Sequence, residues 1–275
     1  EGYLELDVSP EELAQLEAWG FRVEVDEALT NLLYRSARPL PNQPQDTIPG
    51  YACYRTLAGT QDTAVDIATN YPQFASLLDI GDSWQKSQNA ANGHDLTVLR
   101  LTNEAIPGPK PTIFIISAIH AREYTPAELN TRFAEYLVQN YGQNADATWL
   151  LDYYEFHLLL QANPDGREQA QTGLLWRKNS NQNYCPGNFN NGARPGIDLN
   201  RNFSFEWGAH EGSSGVSCYE TFRGPSPASE PETQAVQNHA VALFEDNRPD
   251  DLNAAAPMTT TGIFMDMHSY SELVL

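Results

Sequence analysis

The sequence predicts an α/β domain: a mixed, largely parallel twisted sheet with helices on both faces. Two observations carry that expectation. Residues 111–119, Pro-Thr-Ile-Phe-Ile-Ile-Ser-Ala-Ile, form an unbroken apolar, β-branched run, which is how a strand buried on both faces reads. Strand-like runs then alternate with helix-like ones along the rest of the chain, the order in which a parallel sheet is laid down.

The elements follow in order. Leu4, Leu6 and Val8 alternate as in a strand. Ser9-Pro10-Glu11-Glu12 then supplies an N-cap, a proline at the first helical position and an acidic capping partner. Gly20 should stop that helix, and Phe21, Val23 and Val25 alternate again. Residues 36–50 are proline-rich and read as a linker. The expected division is therefore a strand-helix-strand unit with linker over residues 1–50 and a main domain over residues 51–275. Within the main domain, Pro126 opens a helix with Leu129, Phe133 and Leu137 on one face, ending near Gly142. Residues 156–160 read as a second strand, closed by the turn Asn163-Pro164-Asp165-Gly166. A helix with Ser229 and Glu232 as its capping box runs through Val236, Ala240 and Leu243. Residues 262–267 are a third strand.

Composition narrows the function classes. Hydrophobic residues make up 41% of the 275, the range of a folded protein, and the formal net charge is -20. Nucleic acid and anionic membranes would repel so acidic a chain, so neither is an expected partner; a monomer is expected. The apolar run Ile113–Ile119 is too short to span a bilayer. The sequence opens Glu1-Gly2 without the basic start and apolar stretch of a secretory signal, so any targeting segment is expected outside it. A GxSxG nucleophile elbow and a GxxxxGK[ST] phosphate loop are both absent. Of the three cysteines, Cys185 and Cys218 flank a Gly/Asn-rich stretch; they read either as a disulfide in an oxidising compartment or as two buried thiols. Cys53 is left over.

Two histidines stand directly after predicted strands: His120 after the first and His268 after the third. Ligands bind outside the carboxyl ends of strands in open α/β sheets, so the two can meet there. Glu123 follows His120 by three residues and can face the same point. Two neutral imidazoles and one carboxylate leave a fourth tetrahedral position open, the ligand set of a catalytic zinc rather than a structural one. The spacing alone is common in proteins; the neighbouring motifs decide. The remaining histidines, His94, His157, His210 and His239, read as surface or packing residues.

Those motifs are His120-Ala-Arg-Glu123-Tyr, Asn163-Pro-Asp-Gly166, Trp176-Arg-Lys-Asn179, Asp198-Leu-Asn-Arg-Asn-Phe203, Phe222-Arg-Gly-Pro-Ser-Pro227 with Glu230-Pro-Glu-Thr233, and His268-Ser-Tyr270. Six blocks in that order resemble the M14 family of zinc metallocarboxypeptidases, the carboxypeptidase A/B/T type, from about Tyr51 onward. The N-terminal unit and linker more weakly resemble the end of that family's activation segment. The resemblance implies one Zn2+ held by His120, Glu123 and His268. It implies Arg177 as the oxyanion-stabilising arginine, Asn200 and Arg201 as the grip on the substrate's terminal carboxylate, and Arg122 as a further arginine of the substrate channel. It implies peptide or protein C-termini as substrates and a secreted or periplasmic location, and it favours the Cys185–Cys218 disulfide.

The chemistry is consistent with those roles. Peptide hydrolysis needs an activated water and positive charge where the oxyanion develops. A guanidinium and an amide can fork onto a chain-terminal carboxylate, which an endopeptidase does not need. One part of the family pattern is missing. The general-base glutamate of the family lies well downstream of the third zinc ligand, and only seven residues follow His268. Glu272 is read as structural. The expectation is a C-terminally truncated member; a nicked enzyme, a non-catalytic zinc- and peptide-binding protein, and a related amidohydrolase of cell-wall peptides or acyl-amino acids are the alternatives.

Overall fold

A computed structural model describes residues 8, 10–27, 46–185, 194–209, 211–248, 251 and 253–269. Leu4 and Leu6, most of the proline-rich linker, His210, Tyr270 and Glu272 lie outside these residues.

Helix α1 spans Pro10–Ala18, and the chain leaves it through Gly20 at φ +86°. Residues 21–26 form no strand, and Phe21 and Val25 are exposed. Alternation makes a strand only where a partner accepts its hydrogen bonds, and among the described residues no strand pairs with this segment. A hairpin of β1 (Thr47–Ile48) and β2 (Tyr51–Arg55) follows. It straddles the expected boundary at residue 50, and Ile48 is fully buried, so the folded body includes the last residues assigned to the linker.

The body is built from α2 (Leu57–Asn70), β3 (Ala75–Asp82), α3 (Trp84–Gln88), β4 (Asp95–Leu101), β5 (Thr112–Ser117), α4 (Tyr124–Gln139), α5 (Ala145–Tyr153), β6 (Glu155–Leu159), α6 (Pro164–Ala170), α7 (Pro231–Leu243) and β7 (Ile263–Met267). Five strands form one sheet in the order β3-β4-β6-β5-β7. The β3–β4 and β4–β6 pairings are antiparallel, and β6–β5 and β5–β7 are parallel. The sheet is thus mixed, with its parallel part on the side that carries the histidines.

Both faces are covered, and the period of two in the strands shows how. Leu99, Leu101, Ile115, Phe156 and Leu158 pack on one face against α2, α4 and α5, through Ala64, Ile67, Ala134, Leu137, Ala147 and Leu151. Val98, Phe114, Ile116 and Leu159 point the other way, toward Ala235 and Val236 of α7. This double burial is why the β5 sequence is apolar without a break.

Two local readings change. Asn163-Pro164-Asp165-Gly166 opens α6 instead of closing a turn: Asn163 is the N-cap, its Oδ1 accepts from the Gly166 N–H at 3.1 Å, and Pro164 takes the first helical position. Only glycine fits at 166, because a Cβ there would lie 2.6 Å from Asn163 Oδ1 and 2.7 Å from the Lys178 carbonyl. The capping box of α7 does not form. Ser229 Oγ donates to Glu230 Oε1 at 2.9 Å, and Glu230 becomes the N-cap residue. Glu232 instead accepts from the Trp84 N–H at 2.7 Å and from Asn179 Nδ2 at 3.2 Å.

That arrangement gives a pH dependence. Burial, then the neighbouring Glu230 charge, push the Glu232 carboxyl up to about 8 against its hydrogen bonds. The folded chain therefore holds a proton that the unfolded chain releases near pH 4.5. Stability from this group is fully present below that value and is lost as pH rises toward 8. Glu232→Gln keeps the shape without the titration. Urea unfolding at pH 5 and pH 8 should show the parent losing on the order of 3 kcal/mol more than the variant across that interval.

Candidate metal centre

Neighbouring parallel strands end side by side: Ser117 of β5 pairs in register with Met267 of β7. His268 follows β7 at once. His120 follows β5 after Ala118, which sits at φ +56° and is buried. A non-glycine residue in the left-handed region costs about 1–2 kcal/mol, and here it turns the chain so that His120 meets its partners. Glu123 immediately precedes α4.

The three side chains converge. One ligand atom each from His120, Glu123 and His268 lie within 4.8 Å of one another. His120 Nδ1 is 2.7 Å from Glu123 Oε1, and His268 Nδ1 is 3.0 Å from Glu123 Oε2. The Ser269 N–H also donates to Glu123 Oε2, at 3.1 Å. Burial alone would raise the Glu123 pKa; the two imidazoles outweigh it and hold the carboxyl well below the usual range. Two imidazole nitrogens and an ionised carboxylate, gathered at the strand ends, fit a zinc ion with an open coordination position.

The outer ring nitrogens are held as well. His120 Nε2 faces Asp198 Oδ1 at 3.2 Å, and His268 Nε2 faces Asp266 Oδ2 at 3.0 Å. With zinc bound, a proton on each Nε2 would donate to its carboxylate and leave Nδ1 free to ligate the metal. The roles of Asp198 and Asp266 were not read from the sequence. Asp266 carried a local signal, since it lies two residues before His268 at a strand end. Asp198 opens one of the quoted motifs, but nothing local ties it to His120, 78 residues away.

Asp198 joins the centre to two further residues. Its Oδ2 accepts from Arg177 Nε at 3.1 Å and Nη2 at 2.8 Å, and its Oδ1 accepts from the Asn200 N–H at 3.1 Å. Asp198 is fully buried, which would raise its pKa, but Arg177 and then His120 hold it well below the usual carboxylate range. The Asn200 side-chain nitrogen lies 3.2 Å from His268 Nε2. Arg201 is nearby but committed elsewhere: its Nε donates to the Gly212 carbonyl at 2.7 Å and its Nη1 to the Asn200 carbonyl at 3.2 Å. Arg122 faces Glu220 at 3.6 Å. Cys185 and Cys218 form a disulfide, and Cys53 is exposed and unpaired. His157 is a packing residue: it is buried between His239 at 2.9 Å and Glu155 at 2.8 Å.

A family model described as zinc carboxypeptidase, peptidase M14, matches residues 61–275. The chain belongs to the zinc carboxypeptidase family. Carboxypeptidase A1 of Sus scrofa is 29% identical over 229 residues, covering 82% of this chain and 46% of its own. A protein of Talaromyces stipitatus named inactive metallocarboxypeptidase ecm14 is 29% identical over 214 residues, covering 76% of this chain and 32% of its own. The crystal structure of thrombin-activatable fibrinolysis inhibitor superposes with a TM-score of 0.65 at 25% identity, covering 95% of this chain and 59% of that one. The chain thus spans about a third to a half of the length of these curated zinc carboxypeptidase relatives. Among the described residues, no helix is long and apolar enough to cross a membrane.

Proposed function

We propose that this chain acts as a zinc metallocarboxypeptidase that hydrolyses the C-terminal peptide bond of peptides or proteins, with His120, Glu123 and His268 as the metal ligands. The convergence of these three side chains at the ends of β5 and β7 carries the reading. When bound, zinc supplies Lewis acidity, lowering the pKa of a water and polarising a carbonyl. The residues around it supply the rest. Asp198 and Asp266 fix the imidazole orientation, and Arg177 brings positive charge to the centre beside His120. On this reading Asn200, at the edge of His268, donates to a substrate carboxylate, and Arg201 and Arg122 take the remaining substrate-binding roles. The Cys185–Cys218 disulfide supports a secreted or periplasmic location, because such bonds persist in oxidising compartments.

A second reading has its own observations. Relatives such as the Talaromyces protein are named inactive, and the carboxylates nearest the centre are already engaged: Glu123 with the metal site, Asp198 and Asp266 with the histidines. On that reading the chain binds zinc and peptide ends without cutting them. Zinc-loaded protein should be incubated with matched peptides carrying free and amidated C-termini, and followed by mass spectrometry and by binding. Loss of one residue from the free peptide alone supports the carboxypeptidase. Equal cleavage of both peptides points to an amidohydrolase, and binding without turnover to the non-catalytic reading.

A further inference from the structure

Next to the metal ligands and their carboxylate partners lies a buried cation that the proposed chemistry does not use. Arg167, in the last turn of α6, is 1% exposed, and among the described residues no carboxylate pairs with it. An unpaired buried charge is costly and needs a reason. Its contacts supply one. Nη1 lies 3.4 Å from the Ala121 carbonyl and 3.5 Å from the Glu123 carbonyl, and Nη2 lies 3.4 Å from the Arg55 carbonyl. Nε is buried and has no partner among the described residues. The guanidinium carbon sits 4.3 Å from the centre of the Tyr124 ring, the residue after the ligand Glu123. Tyr124 in turn donates from its hydroxyl to the Ala170 carbonyl at 2.5 Å, which ties it back to α6.

Four residues earlier, at the N-cap of α6, Asn163 Nδ2 donates to the Ile119 carbonyl at 3.1 Å. One helix therefore touches the ligand loop at both ends: Asn163 at the carbonyl before His120, Arg167 at the carbonyls of Ala121 and Glu123. The side chains at 163 and 167 are one helical turn apart and share a face. We propose that Arg167 is a positioning residue for the metal site, its charge satisfied by the backbone of residues 121–123 and the Tyr124 ring. A planar fork can reach several carbonyls at once, which an ammonium cannot reproduce. This inference rests on the assignment of His120, Glu123 and His268 as zinc ligands.

The test compares metal-stripped parent with Arg167→Met, Arg167→Lys and Arg167→Gln. Zinc affinity is read by competition with a chromophoric chelator, the visible bands of cobalt-loaded protein report ligand geometry, and thermal unfolding of the metal-free chains reports folding. Partners that orient metal ligands typically change metal affinity by about 10–100-fold. The expected result is a loss of that size in folded Met and Gln variants, a smaller loss in the Lys variant, and shifted cobalt bands. Parent-like affinity and cobalt spectra in the folded variants would overturn the proposal, and so would failure of all three to fold, which would assign Arg167 to the fold alone. A parent that binds no zinc would instead strike the ligand assignment, and is read independently of the variants.

Discussion

Arg177→Ala should combine a large loss of stability with a large loss of turnover. Asp198 is fully buried and carries charge, and Arg177 supplies two of its hydrogen bonds. Removing one partner of a buried pair typically costs about 3–5 kcal/mol, because the other charge is left uncompensated. The damage reaches the metal, since the same carboxylate orients His120. If Arg177 also faces the developing oxyanion, its loss should lower kcat by about 10²–10³-fold in an active preparation. The two effects can be separated. The double variant Arg177→Met with Asp198→Asn removes the stranded charge and should recover part of the stability, measured by urea unfolding, while zinc affinity and turnover stay low. Full recovery of turnover in the double variant would remove Arg177 from the chemistry.

Breaking the Cys185–Cys218 disulfide should be the next most costly change. The bridge closes a loop with a sequence separation of 33, for which chain entropy gives about 4 kcal/mol. That loop contains Asp198, Asn200 and Arg201, so it holds part of the metal surroundings as well as the fold. For a chain of this size the loss corresponds to a fall in Tm of roughly 10 °C. Calorimetry of the metal-free Cys185→Ser/Cys218→Ser protein against the oxidised parent measures it. An unchanged midpoint would mean that the bridge constrains only a segment already loose in the native state.

Much of the site was legible because it is built on features with local signatures. β5 and β6 are buried on both faces, so their β-branched runs stand out, and His120 and His268 follow strand ends where the sheet brings them together. What stayed hidden depends on which partner a group finds. Asn163 and Pro164 suit a turn and a helix start equally; the bond from the Gly166 N–H decides for the helix. Residues 21–25 alternate as a strand would, but among the described residues no strand lies beside them to pair with. Ser229 and Glu232 have capping-box spacing, yet the hydroxyl goes to Glu230 and the carboxylate to the Trp84 backbone, 148 residues away. Asp198 and Arg167 act through distances that exist only in the folded chain. The arginine roles came from resemblance, and the structure adds that Arg177 reaches the centre through Asp198 and that Arg201 is tied to the Gly212 carbonyl.

Zinc stoichiometry by elemental analysis, on this chain and on His268→Ala, tests the metal centre most directly. The expected result is one zinc per chain, lost in the variant, because residues 120, 123 and 268 meet only when β5 and β7 pair. Zinc retained at full stoichiometry and affinity in His268→Ala, or absent from a folded parent, would contradict it.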